Sequence, residues 1–263
     1  MISILQLGAL DYATALRLQQ SLVDLRKSGA IGDVLLLLEH TPVITLGRNA
    51  KRQHVLASEA RLAETGVEIF ECDRGGDVTY HGPGQLVGYP IVDLRGSQPS
   101  IGAVEFVRRL EEVLIRTCAD FGVAAERVAG MTGVWTKADS TQRRGDAEKT
   151  GEQGKIAAIG VHISRGVTSH GFALNVNTDL SYFDLIVPCG LAAKPVTSIA
   201  KELGRPVAMD EVAQTVARHF GGVFECEVAW AKSLDALAGR DADVPLRLPD
   251  ELRRLREDDS TWA

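Results

Sequence analysis

The chain has 263 residues, with 29 Lys and Arg against 35 Asp and Glu for a formal charge of -6, and 45% of its residues are hydrophobic. This length supports one large domain or two small ones around a buried core, and the composition excludes a disordered or collagen-like chain. The acidic balance argues against a protein that works mainly on a phosphate backbone. No run approaches the roughly 18 apolar residues of a membrane span, and the opening MISILQLGALDYATALRLQQ lacks the basic and long apolar regions of a signal peptide. The expected address is the cytoplasm, with neither nucleic acid nor membrane as partner. Four cysteines (Cys72, Cys118, Cys189, Cys226) form no CxxC pair, which disfavours a zinc knuckle and a disulfide framework alike.

In chain order, Ala15, Leu18, Leu22 and Leu25 recur at helical steps between a capping Asp11 and a terminating Gly29, which predicts a helix. DVLLLLEH (Asp33 to His40) reads as a buried strand, and VITLG resumes as a strand after Pro42. VEIFEC, DVTYH and QLVGYPIVDL, separated by Gly75-Gly76 and Gly82-Pro83-Gly84, read as a hairpin-rich sheet region. Ser100 is the expected cap of a second helix whose apolar face runs from Ala103 through Phe106, Leu110, Val113, Leu114 and Cys118 to Phe121. Strands are predicted at Thr132 to Thr136, Lys155 to Ser164 and Ser169 to Asn177, and a last helix from about Asp210 to Phe220. Residues 138–153 read as a flexible polar insertion. Residues 225–263 carry ten acidic and six basic side chains and read as a polar, partly mobile extension, leaving 1–224 as a single catalytic domain. The blocks of strands and helices favour the α+β class.

Three clusters depart from what folding alone selects. RGGDVTYHGPGQ brings two glycine breaks close to Arg74, Tyr80 and His81; such glycines admit a ligand near the backbone, and they also serve ordinary turns. In KIAAIGVHIS and SHGFALNVN the small residues Ala157, Ala158, Gly160, Gly171 and Ala173 leave space beside paired strands, either for an apolar ligand or for closely packed helices. His162 and His170, taken alone, read as surface or hydrogen-bonded structural histidines rather than catalysts. In LIVPCGL a cysteine sits on a rigid bend between proline and glycine: Cys189 is either a buried inert thiol, as most free cysteines are, or the candidate nucleophile among the four, and Lys155 is either a lysine that marks a strand end, the commoner case, or a cation able to favour its thiolate.

Arg74 to Gln85, Lys155 to Gly160, His170 to Asn175 and Pro188 to Gly190, together with LEHTPVITLGR and NTDLSYFDLIVPCGL, resemble the octanoyltransferases of lipoic acid synthesis, the lipoate–biotin protein ligase B type, within the biotin/lipoate protein ligase superfamily. The resemblance implies a biotin/lipoate ligase-like catalytic domain with a mixed, largely antiparallel sheet flanked by helices. It implies transfer of octanoyl from acyl carrier protein to a lysine of lipoyl domains, those of the 2-oxoacid dehydrogenase complexes and the glycine cleavage H protein. Exchange between thioesters and downhill aminolysis to an amide call for neither ATP nor metal, and a monomer is expected. Cys189 would carry the acyl thioester with Lys155 as its partner. Arg74, Gly75, Gly76, Asp77, Val78, Thr79, Tyr80, His81, Ala158, Ile159, Gly160, His170, Gly171, Phe172 and Ala173 would line the acyl site. The competing readings are an ATP-dependent lipoate or biotin ligase, which has no need of a turn-borne cysteine, and a non-catalytic module that binds lipoyl domains.

Overall fold

The computed structural model describes residues 1–96, 100–137, 153–187 and 195–237; Cys189 and nearly all of the 138–153 insertion lie outside them. Among the described residues eleven strands and five helices alternate in blocks: β1 (Ile2–Leu10), α1 (Tyr12–Ser28), β2 (Asp33–His40), β3 (Val43–Leu46), α2 (Glu59–Thr65), β4 (Glu68–Glu71), β5 (Val78–His81) and β6 (Gln85–Ile91). Then follow α3 (Ala103–Asp120), β7 (Ala125–Val128), β8 (Met131–Thr136), β9 (Lys155–Ser164), β10 (Val167–Asn175), α4 (Ile199–Leu203), α5 (Met209–Phe224) and β11 (Val228–Trp230). An eight-stranded sheet runs β11-β1-β2-β6-β10-β9-β8-β7, parallel across its first three strands and antiparallel elsewhere. A smaller sheet has the order β4-β3-β5. Among the described residues no helix is long and apolar enough to cross a membrane.

The apolar run in β2 follows from its central place. Leu35 and Leu37 face the core under α3 and α5, whereas Val34, Leu36 and Leu38 face α1, so a strand covered on both sides cannot alternate with polar residues. Helix α1 starts where the Asp11 carboxylate accepts the Thr14 N–H at 2.8 Å and stops at Gly29 with φ 77°. Phe106, Leu110, Val113 and Leu114 of α3 pack beside Val212, Val216 and Phe220 of α5. Cys118 is buried in this core, and burial pushes its thiol up to about 12, an inert thiol as its place on the apolar face suggested.

Three expectations need correction. The hairpin-rich region is two sheets: β3 pairs with β4 in parallel and with β5 antiparallel, while β6 crosses to the large sheet between β2 and β10. The Gly82-Pro83-Gly84 break is that crossing. Gly102 rather than Ser100 caps α3, and without a side-chain bond. The folded unit also continues past 224, because β11 adds to the sheet edge beside β1 and Leu237 is buried with the α1-side core. Neither β1 nor β11 was anticipated; a bulge between Gln6 and Ala9, where Gly8 takes φ 60°, breaks the alternation of β1.

Candidate functional site

A cleft opens between the two sheets. Its walls are Ala158, Ile159 and Gly160 of β9, His170 to Ala173 of β10, Val87 and Tyr89 of β6, Thr79 and His81 of β5, Tyr12 of α1, and the loop Arg74 to Asp77. Gly160 and Gly171 are paired across β9 and β10. The loop runs directly over Gly160: Gly75 donates its N–H to the Val161 carbonyl at 3.1 Å, and a Cβ on Gly160 would stand 2.5 Å from the Gly75 carbonyl oxygen. A Cβ on Gly171 would stand 2.1 Å from the Gly88 carbonyl oxygen. Gly160 thus seats the loop against the sheet and Gly171 admits the neighbouring strand, whereas Ala157 packs in the core with α3 and α5 and Ala173 in the core with α1.

Arg74 fastens the loop to the small sheet. Its Nε and Nη2 donate to Thr45 Oγ1 at 3.1 and 2.9 Å, Nη2 donates to the Thr45 carbonyl at 2.6 Å, and Nη1 donates to the Gly75 carbonyl at 3.0 Å. No carboxylate of the described residues lies within 4 Å of this buried guanidinium, so it leaves positive potential at the cleft wall. Asp73, the residue before it, accepts from His170 Nε2 at 2.7 Å and stands 3.5 Å from His162 Nε2. Burial works against the Asp73 anion, yet the His170 hydrogen bond and the two histidines hold its carboxyl below the ordinary value. His170 itself sits at φ 54°, a conformation that costs about 1 kcal/mol or more and is held here by bonds at both ends: its N–H donates to Gln19 Oε1 at 2.8 Å.

His81 in the cleft wall and His40 beside it are neutral for a common reason. Burial, with Arg74 and neighbouring histidines, lowers His81 to about 3, and burial lowers His40 to about 4. His40 Nδ1 donates to the Leu10 carbonyl at 3.0 Å, which leaves Nε2 to accept the Tyr89 hydroxyl at 2.7 Å. Tyr12 stacks on His81 with centroids 6.4 Å apart, and its buried hydroxyl has no hydrogen-bond partner among the described residues. A buried donor left in this state is suited to a ligand oxygen.

Lys155 opens β9, buried, with its ammonium 5.4 Å from the Trp135 ring centroid. Gly133, at φ 121°, gives it room, for a Cβ there would stand 2.9 Å from Lys155 Cε. Glu111, fully buried on α3, accepts the Gly133 N–H at 3.1 Å while holding Arg108 and Arg127 at 2.8 and 3.1 Å. Lys155 does not line the cleft; it lies three residues before Ala158, about 10 Å along the strand. Its N–H donates to the Pro195 carbonyl at 2.8 Å and its carbonyl accepts from Thr197 at 3.0 Å. On the other side, Val187 donates its N–H to the His54 carbonyl at 2.7 Å, and His54 Nδ1 bonds Asp77 Oδ2, also at 2.7 Å. Val187 thus ends one described stretch at the cleft lip and Pro195 opens the next beside Lys155; Cys189 falls between them in sequence, outside the described residues.

Of the residues expected to line the acyl site, all but two face the cleft. Val78 and Tyr80 turn into the core of the small sheet, because alternate side chains of β5 take opposite faces and Thr79 and His81 hold the cleft side. Tyr12, Val87 and Tyr89 were missed. The last two show the same period-two pattern in QLVGYPI, a signal present in the sequence, whereas the contact of Tyr12 with His81 joins distant segments.

Residues 11–221 match the lipoyl protein ligase A/B catalytic domain, and the chain belongs to that family. It is 59% identical over 259 residues to an octanoyltransferase of Koribacter versatilis, covering 98% of each chain. It is 58% identical over 239 residues to an octanoyltransferase of Acidobacterium capsulatum, covering 88% of this chain and 94% of the other. Among solved structures, a bipartite lipoate protein ligase from Thermoplasma acidophilum superposes with a TM-score of 0.68 at 15% identity, over 97% of this chain and 90% of that one, which shows the common fold.

Proposed function

We propose that the chain is an octanoyltransferase of lipoate biosynthesis that moves the acyl group from acyl carrier protein to a lysine of a lipoyl domain through a thioester on Cys189. The observation that carries this reading is the path of the described backbone on either side of Cys189: Val187 is bound to His54, which bonds Asp77 at the cleft lip, and Pro195 and Thr197 are bound to Lys155. The similarity to octanoyltransferases along nearly the whole chain supports it.

In the first half, the Cys189 thiolate attacks the carrier thioester carbonyl. The new carbon–sulfur bond forms, the bond to phosphopantetheine breaks, and the leaving thiolate takes a proton from the Lys155 ammonium. In the second half, the target lysine amine attacks the Cys189 thioester, the cysteine leaves as thiolate, and the amine proton passes to the now neutral Lys155. Thioester aminolysis runs downhill to the amide, so the cycle needs neither ATP nor a metal. Each octanoyl CH₂ buried in the cleft contributes about 0.8 kcal/mol. Val87, Ile159 and Phe172 would supply apolar contact, and the Tyr12 hydroxyl would donate to the acyl oxygen.

Carrier proteins and lipoyl domains of acidic character would dock on the exposed Arg48, Lys51 and Arg52. These follow β3 and are bound to the cleft loop, since Arg48 donates its N–H to the Arg74 carbonyl at 3.0 Å and Asn49 to the Gly76 carbonyl at 3.1 Å. Incubating the protein with octanoyl-carrier protein in the absence of ATP and weighing it intact tests the reading. One octanoyl adduct, labile to hydroxylamine and absent from Cys189→Ser, is expected. No adduct, or one that survives in Cys189→Ser, overturns it, and an adduct that requires ATP would point to a ligase.

A further inference from the structure

A chain of directed hydrogen bonds links the strand end at Lys155 to the cleft loop at Arg74, and its two ends determine every link between them. Thr197, whose N–H meets the Lys155 carbonyl, accepts at its own carbonyl from Asn175 Nδ2 at 3.0 Å. A carbonyl can only accept, so Asn175 Oδ1 must be the oxygen that takes the Gln85 Nε2 proton at 2.9 Å; the same nitrogen reaches the Tyr80 carbonyl at 3.2 Å. Gln85 Oε1 then faces His81 Nδ1 at 2.7 Å, and that ring nitrogen carries the hydrogen. From the other end, a guanidinium only donates. The two Arg74 bonds occupy the lone pairs of Thr45 Oγ1, which leaves the Thr45 hydroxyl hydrogen for His81 Nε2 at 3.4 Å. Both ends demand the same tautomer of the same ring. Thr45, His81, Gln85, Asn175 and Thr197 are all buried, so water does not relieve a mismatch.

We propose that Gln85 and Asn175 are positioning residues that lock His81 as its neutral Nδ1–H tautomer, so that the Arg74 loop and the Lys155 strand keep one relative geometry. The consequence for catalysis rests on the acyl-transfer reading; the tautomer does not. An Nε2–H ring would bring a third donor to Thr45 Oγ1, which has two lone pairs, and one Arg74 bond would be lost. An imidazolium would do the same, and it would stand among His40 of β2, His170 of β10, Arg74 of the loop and Tyr12 of α1, none of which supplies a negative charge at neutral pH.

Long-range ¹⁵N NMR of the histidine rings in the full chain tests this without substrate, the His81 signals being identified by their loss in His81→Gln. The wild type should show His81 as Nδ1–H alone from pH 5 to 8. Gln85→Leu removes one of the two constraints, so Nε2–H should appear beside Nδ1–H, and octanoyl loading from the carrier should slow about 10-fold or more, through kcat rather than KM. Gln85→Glu, which keeps an acceptor and the shape, should retain Nδ1–H but bring the ring into titration between pH 5 and 8. Asn175→Asp should keep the tautomer and still slow loading, since it cuts the link to Thr197. A wild-type ring found as Nε2–H or in tautomer exchange overturns the proposal whether or not the variants fold. So does a Gln85→Leu protein that loads at the wild-type rate. A wild type that forms no octanoyl adduct defeats the acyl-transfer reading and leaves the tautomer result standing.

Discussion

The carbonyl oxygen of Gly75 occupies the place that a side chain on Gly160 would need, 2.5 Å from an ideal Cβ. The cleft loop is laid on β9 by this contact, by the Gly75 to Val161 hydrogen bond and by the anchoring of Arg74 to Thr45. Gly160→Ala must lift the loop, because backbone cannot yield as a flexible side-chain tip can. A destabilisation of about 1–3 kcal/mol by urea unfolding is expected, with octanoyl loading reduced more than 10-fold. A variant that keeps full loading would show that the loop does not need to touch β9.

Stability should depend on pH with a definite sign. His40 and His81 titrate in the folded protein at about 4 and about 3, and His170 is also depressed by burial, whereas an unfolded histidine titrates near 6.5. Between those values the unfolded chain binds more protons, so the contribution is complete above pH 6.5 and is lost as the pH falls. His40 and His81 together should lower the unfolding free energy by on the order of 4 kcal/mol between pH 7.5 and pH 5. Urea titrations over this range check it, and His40→Asn should flatten the slope by about half.

Glu111 ties the Arg pair on the surface to the buried N–H of Gly133, which backs Lys155. Glu111→Leu leaves that N–H unpaired, at a cost of about 2 kcal/mol. Thermal melting should fall by roughly 5 °C for a domain of this size. An unchanged melting temperature would mean that water replaces the carboxylate.

Docking of an acidic carrier on Lys51 and Arg52 should be visible in its salt dependence. Reversing both charges should raise the KM for octanoyl-carrier protein about 10-fold at low ionic strength, and the difference should shrink above roughly 0.3 M salt as screening takes over. Equal KM values at low salt would move the docking surface elsewhere.

Much of the fold was legible because its physical signals are local. The apolar run of β2, the capped α1 and the 3.6-residue stripes of α3 and α5 each report burial through neighbours in sequence. The division into two sheets was not legible, since β3 with β5 and β6 with β10 are matched by pairings across the chain rather than by any turn signal. In the site, the motif residues pointed to the cleft, but Val78 and Tyr80 were included because a motif carries no information about which face of a strand each member takes. The second face emerges only when period two is applied to a strand whose partners are known.

What the sequence determined by itself is the set of reactive and small residues, Arg74 to His81, Lys155 to Gly160, His170 to Ala173 and Cys189, and through them the family. Tertiary structure alone decided what those residues do to one another. Gly160 is small because another backbone crosses it, His40 and His81 are neutral because the fold removes them from water, and the hydrogen on His81 is placed by Thr197 at one end of a chain and Arg74 at the other. Dielectric, close approach and hydrogen-bond direction are properties of assembled neighbours, and these neighbours come from segments far apart along the chain.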